Sequence, residues 1–214
     1  MTTKMIEATI EDKTRMNISK KYWDAEFGKI DQDKLSILNR YIEVGFNSGR
    51  GRGLVVFGEP GCGKTYAMCA LLTQLKKLAK MSDGEKSFWG YMIQASVLDS
   101  SAMREAYNDT STLHDRIMKV ELLVIDNAET NLGSKILADV IKLREENLLS
   151  TILVIDVPSV AVKPQGGIFG YISQKYQGLV SALGSAMIPL DFEGRNYKTE
   201  EYEKYRDQMM GANR

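Results

Sequence analysis

The chain has 214 residues, 43% of them apolar, and its 28 basic and 28 acidic side chains cancel. That length buries the core of one α/β unit, and the charge balance excludes a global field towards nucleic acid or membrane, leaving only local patches. Two cysteines, Cys62 and Cys69, within one short segment suit a reducing compartment. A charged start and no apolar run near the roughly 18 residues of a membrane span predict a cytoplasmic protein with no membrane partner.

In chain order, residues 1–20 are polar and predict an arm that could engage a partner. Tyr22, Trp23, Phe27, Leu35, Leu38, Tyr41 and Ile42 recur at mainly helical spacings and predict a segment packed on the body. NSGRGRG (47–53) reads as a loop and LVVF (54–57) as a buried strand, followed by a helix from about Lys64 to Lys80. SFWGYMIQAS predicts a strand, VLDSSAMREAYN a helix, ELLVID (121–126) a buried strand, and 132–148 a helix. TILVID (151–156) is the next strand, 158–167 a loop, FGYISQKYQGLVSAL a helix, AMIPLDF a last strand, and the charged C-terminus a helix. Alternating strands and helices predict a parallel sheet covered on both faces, with ligands beyond the carboxyl ends of its strands. The organisation expected is an arm (1–20), one α/β core (21–198) and a C-terminal helix or tail (199–214).

GEPGCGKT (58–65) is a complete G-x-x-x-x-G-K-T between a strand and a helix, the context in which it cradles phosphates. The segment from Gly58, Glu59, Pro60, Gly61, Cys62 and Gly63 through Lys64, Thr65 and Tyr66 is the expected ATP site. Its backbone N–H groups and helix start face phosphate oxygens, Lys64 reaches the β- and γ-phosphates, and the Thr65 hydroxyl binds Mg²⁺. Asp126, at the end of LLVID, is the expected second contributor to Mg²⁺.

RGLVVFGEPGCGKTYAMCALL, VELLVIDN, TILVIDVP and LDFEGRNYK, in that order, resemble the DnaC/IstB-type AAA+ ATPases, helicase loaders and transposition helpers, and ISKKYWDAEFGKID is similar to the segment leading into that family's core. The resemblance implies an AAA+ core with a five-stranded parallel sheet and a minimal or absent lid. It also implies action with a replicative DNA helicase on single-stranded DNA, or with a transposase, and self-association or a helicase-templated oligomer. The brevity of the arm suits a phage or mobile-element version.

Against that family, Asn127 replaces the second acid after Asp126, Asp156 stands where the sensor strand should offer Asn, and 165–194 contains Lys175 but no Arg. An arginine finger is worth about 10³- to 10⁵-fold in such chemistry, and the nearest substitutes are Lys175, Arg195 and Arg144. An amide holds a water but accepts no proton, so Asn127 permits slow hydrolysis without promoting it. Glu129 is a candidate replacement acid if a tight turn swings it back, and otherwise an exposed acid. The residues and the resemblance together predict an ATP-binding helicase loader, a weak ATPase that uses MgATP as a latch to deliver or hold a replicative helicase on single-stranded DNA during replication initiation; its rivals are an IstB-like transposition helper and a non-hydrolysing module blocking a host replication protein. A small-molecule kinase fits poorly, because the region after Asp156 lacks the arginines of a lid. Lys76, Lys77 and Lys80, or Arg50 and Arg52, could meet DNA backbone but read more simply as a solvated face, and Tyr22 and Trp23 as a core edge.

Overall fold

The computed structural model describes residues 7–81, 88–98, 112–175, 177–183 and 187–209. Its strands are β1 (Gly53–Gly58), β2 (Gly90–Gln94), β3 (Leu122–Asp126), β4 (Ser150–Asp156) and β5 (Met187–Asp191), in the order β2-β3-β4-β1-β5. Every neighbouring pair is parallel. The strands are short runs of Val, Ile and Leu because both faces are covered, so side chains of either parity enter a core. Val55, Phe57, Leu123, Ile125, Leu153 and Ile155 meet α5 (Thr112–Lys119), α6 (Lys135–Glu146), α8 (Ile168–Lys175) and α9 (Gln177–Leu183) on one face. Leu54, Val56, Met92, Val124, Ile152 and Val154 meet α3 (Lys64–Met81) and the N-terminal segment on the other. The fold class is the one expected: α/β, with five parallel strands between helices.

The N-terminal segment is more broken than its helical spacing suggests. It forms α1 (Ile10–Arg15), 3-10 turns at Lys20–Tyr22 and Phe27–Lys29, and α2 (Gln32–Arg40) running into a wide π turn over Tyr41–Phe46. Residues 7–20 lie against the body: Met16 and Ile18 are buried in the core shared with α3. The Met92 N–H donates to the Met16 carbonyl at 3.0 Å and Asn17 Nδ2 donates to the Met92 carbonyl at 2.7 Å, so this segment caps the outer edge of β2. Asp12 holds it to α3 through Lys80 at 2.5 Å and Lys76 at 3.7 Å, which draws both lysines away from the open face expected of them.

Other differences are local. The strand over 87–96 ends at Gln94 and turns into the short α4 (Ala95–Leu98); the remainder of the helix expected over 97–108 lies outside the described residues. The helix expected from 132 begins at Lys135, where the Ser134 hydroxyl accepts the Leu137 N–H. The supposed loop 158–167 carries α7 (Ser159–Val162) and a 3-10 turn at Lys163–Gln165, and the single helix over 169–183 is divided into α8 and α9. After β5, the described chain continues only into α10 (Tyr197–Met209).

Candidate functional site

The carboxyl ends of β1, β3 and β4 and the start of α3 surround a cavity of about 630 Å³. Gly61, Cys62, Gly63, Lys64, Thr65 and Tyr66 line it from the loop, and Asp126, Asn127 and Asp156 from the strand ends. Glu59 and Pro60 face it through neither side chain, but their carbonyls anchor the loop: Glu59 O accepts from Lys64 Nζ at 2.7 Å and Pro60 O accepts from Asn196 Nδ2 at 3.3 Å. The loop needs glycine, most clearly at its middle and just before α3. Gly61 and Gly63 hold φ of +90° and +91°, and a Cβ on Gly61 would lie 2.5 Å from Asn196 Oδ1.

Lys64 is buried, 3% exposed, and its ammonium lies 2.7 Å from Asp156 Oδ1. It also donates to the carbonyls of Gly58 at 2.8 Å and Glu59 at 2.7 Å, with Cys62 Sγ at 3.4 Å. Sheet register produces the ion pair, because Gly58 and Asp156 are partners at the ends of β1 and β4.

Asp126 is 2% exposed. Thr65 Oγ1 donates to its Oδ2 at 3.1 Å and Gln94 Nε2 donates to the same oxygen at 3.2 Å. Burial pushes the Asp126 carboxyl above its usual range, against the lowering effect of those donors. No lysine or arginine among the described residues forms an ion pair with it. A buried carboxylate beside a threonine hydroxyl, with neutral donors only, suits a hard cation that keeps most of its own waters, and Mg²⁺ fits this pair. Together with the glycine-shaped loop and Lys64, the residues present suit a Mg²⁺-bound nucleotide.

Asn127 adopts left-handed backbone, φ 55°, which asparagine tolerates better than most residues. Its Nδ2 donates to Gln94 Oε1 at 2.8 Å, so the amide is engaged with β2. The turn it makes leads into a 3-10 segment, Ala128–Asn131, that carries Glu129 back towards β4. There Glu129 Oε2 accepts the Asp156 N–H at 2.9 Å, at the cavity's back wall rather than on its lining.

Three other expected contributors lie off the cavity. Arg144 is the clearest correction: it is fully buried and donates to the carbonyls of Ile117, Val120 (3.0 Å) and Ser150 (2.7 Å) and to the Thr151 hydroxyl. Ser150 begins β4 and Asp156 ends it, so Arg144 sits at the opposite end of the sheet, roughly 20 Å away at ~3.3 Å per residue. Lys175 ends α8, exposed, over the Tyr171 ring. Arg195 pairs with Glu200 and stacks on Tyr197 near the cavity mouth.

The sequence reading passed over several lining residues. Tyr22 lines the cavity, and its hydroxyl is raised first by burial and then by the negative groups around it, among them Asp126 and Asp156. Gln94 stands at the end of β2 opposite Asp126, a strand-end position that topology could have flagged. Asp31 and Tyr197 meet across the mouth, the tyrosine hydroxyl donating at 2.8 Å, and Lys198 follows on the same wall. The last two belong to LDFEGRNYK, singled out by resemblance; Tyr22 and Asp31 carry no signal without the fold.

Neither a protein-family model nor a curated protein matches the chain. Solved structures do. The DnaC helicase loader superposes with a TM-score of 0.62 at 19% identity, covering 82% of this chain and 100% of that one. DnaI gives 0.60 at 17%, over 84% and 94%. The replication initiator DnaA bound to AMPPCP and single-stranded DNA gives 0.56 at 16%, over 90% and 56%. No helix among the described residues is long and apolar enough to cross a membrane. At such identities the likeness speaks for architecture alone, and the chain shares its fold with the DnaC helicase loader and DnaI.

Proposed function

We propose that this chain is an ATP-binding helicase loader that holds MgATP as a latch while delivering or retaining a replicative helicase on single-stranded DNA. The observation that carries the reading is the convergence of the Lys64 loop, the Thr65–Asp126 pair and the glycine turns on one cavity, in a fold shared with DnaC and DnaI. Thr65 and Asp126 would hold Mg²⁺; Lys64 and the loop N–H groups would hold the phosphates. Bound there, Mg²⁺ supplies charge neutralisation across the phosphates. The residues of this chain bind and orient; they do little to activate water. Asn127 is engaged with Gln94 and cannot accept a proton, and no arginine lines the cavity among the described residues. Slow hydrolysis follows, with self-association, or a helicase as template, as the source of any arginine in trans.

The nucleotide state must be read by a partner that binds one form better than the other. The test is recovery of the replicative helicase by the tagged full chain, with a slowly hydrolysed ATP analogue and without nucleotide. Nucleotide-dependent recovery, lost in Lys64→Ala, supports the reading; recovery of a transposase, or of no helicase in either condition, overturns it. Asn127→Glu separates the causes of slow turnover. A gain in rate identifies the missing acid as limiting, and no gain assigns the limit to the missing arginine.

A further inference from the structure

The Lys64–Asp156 ion pair lies at the position where a triphosphate must be held, and it has consequences for which nucleotide the site prefers. An ammonium has three protons to donate. Those of Lys64 are directed to Asp156 Oδ1 at 2.7 Å, Gly58 O at 2.8 Å and Glu59 O at 2.7 Å, with Cys62 Sγ a more distant acceptor at 3.4 Å. Of these acceptors only Asp156 is charged. Its place is fixed from two sides, by the register that sets it beside Gly58 and by Glu129, which accepts its backbone N–H at 2.9 Å. The carboxylate is 30% exposed, so it has room to leave the lysine without being driven into the core.

We infer that Asp156 is a specificity-determining residue that disfavours the γ-phosphate, so that the site binds nucleoside diphosphate at least as tightly as triphosphate. The inference rests on the proposed nucleotide site and deepens it. A diphosphate asks Lys64 for one donor, which a neutral loop carbonyl can release while Asp156 stays paired. A triphosphate brings further negative charge to the same ammonium and sets it against the Asp156 carboxylate. Either the pair breaks and Asp156 swings towards solvent, or the two anions face each other across a buried lysine, and both outcomes weaken the triphosphate alone. Because Glu129 and β4 hold the backbone of Asp156, its side chain is the part that yields, and its position then differs between the two nucleotide states. This supplies a latch with a bias: it stays open to triphosphate until a partner favours the displaced position of Asp156.

The experiment is calorimetric titration of the full chain with ADP and with a slowly hydrolysed ATP analogue, both with Mg²⁺, for wild type, Asp156→Asn and Lys64→Ala. The amide keeps the shape and removes the charge. Expected is a wild type that binds ADP no more weakly than the analogue, and an Asp156→Asn variant in which the analogue tightens about tenfold while ADP changes less than about threefold. Equal changes for both ligands, no change, weaker analogue binding, or a wild type that strongly prefers the analogue would each overturn the inference and leave the nucleotide site intact. Wild type binding neither ligand, indistinguishable from Lys64→Ala, would remove the site and the inference together. Thermal melting of each variant is read alongside; if Asp156→Asn does not fold, Asp156→Ser takes its place with the same expected selectivity.

Discussion

The two ends of this sheet bury charge in opposite ways. At the amino ends of the strands, Arg144 is enclosed, and each of its hydrogen bonds goes to a neutral oxygen of a neighbouring element. At the carboxyl ends, Lys64 and Asp126 are enclosed, but Lys64 shares its protons with a partly exposed carboxylate and Asp126 forms no ion pair among the described residues. One cluster is complete and ties α5, α6 and β4 together; the other consists of groups whose partners can be exchanged. Burial alone does not separate a structural charge from a functional one. The separating feature is whether all partners are neutral groups of the folded frame, as at Arg144, or include a charged side chain with room to leave, as Asp156 has at Lys64.

Removing the complete cluster should have the largest effect. Arg144→Ala leaves buried carbonyls of Ile117, Val120 and Ser150 without their donor, and at ~1–3 kcal/mol for each such group the loss is about 3 kcal/mol or more. Chemical denaturation should show that loss, whereas the nucleotide affinity of the molecules that remain folded should be unchanged. A selective loss of affinity with stability intact would show that Arg144 serves the site after all.

Removing the exchangeable cluster should do the reverse. Lys64→Ala is expected to weaken nucleotide binding about 100-fold, about 2.7 kcal/mol, and to leave the melting temperature within a few degrees of wild type. Calorimetry and a thermal melt on one preparation test both halves. Asp156 loses its partner in this variant, but it is partly exposed and can turn to water, and the Gly58 and Glu59 carbonyls that Lys64 leaves keep the N–H groups of Val157 at 3.0 Å and Cys62 at 3.4 Å.

The contrast also explains what could be read in advance. The phosphate loop, Asp126 and the alternation of strands with helices are written in short contiguous segments, so the fold class and these residues as candidates for a site are legible. Arg144 is not, because an arginine at helical spacing looks the same whether it faces solvent or the base of a sheet. Tyr22 and Asp31 reach the cavity only because two 3-10 turns break a helix that the apolar spacing would have continued. The Lys64–Asp156 pair depends on register between β1 and β4, strands separated by some ninety residues of chain, which no local pattern encodes.

The docked N-terminal segment differs from the body it covers in that one carboxylate, Asp12, ties it to α3. Burial alone would raise the Asp12 carboxyl, but hydrogen bonds from Lys80 and from Thr9 outweigh it and hold it at about 2, below its ordinary 3.8. A depressed carboxyl stabilises the fold above its unfolded pKa and loses that contribution as pH falls through the folded one. The contribution, at most about 2 kcal/mol and reduced where solvent screens the pair, should therefore be complete above roughly pH 5 and fade through pH 2. Asp12→Asn should abolish that pH dependence, and hydrogen exchange should show early opening at Met92, whose N–H is bonded to the segment. If exchange at Met92 is unchanged, Asp12 does not hold the edge cover in place.

The smallest effect expected is at the cavity mouth. Burial, and then the hydrogen bond to Asp31, push the Tyr197 hydroxyl up to about 12, so it remains a neutral donor across the physiological range. Its bond to Asp31 joins α10, which begins beside the phosphate loop, to the segment ahead of α2 on the far side of the cavity. The same residue is fixed to the loop through its backbone, the Tyr197 N–H donating to Gly61 O at 3.0 Å, and its ring lies against Gly63. Tyr197→Phe keeps the backbone bond and the ring and removes only the link across the mouth, at a cost of about 1 kcal/mol. If that link slows exit, nucleotide should dissociate about fivefold faster with little change in association rate, as stopped-flow with a fluorescent ADP derivative would measure. An equal change in both rates would mean that the mouth opens freely and that Tyr197 matters only as a wall of the phosphate loop.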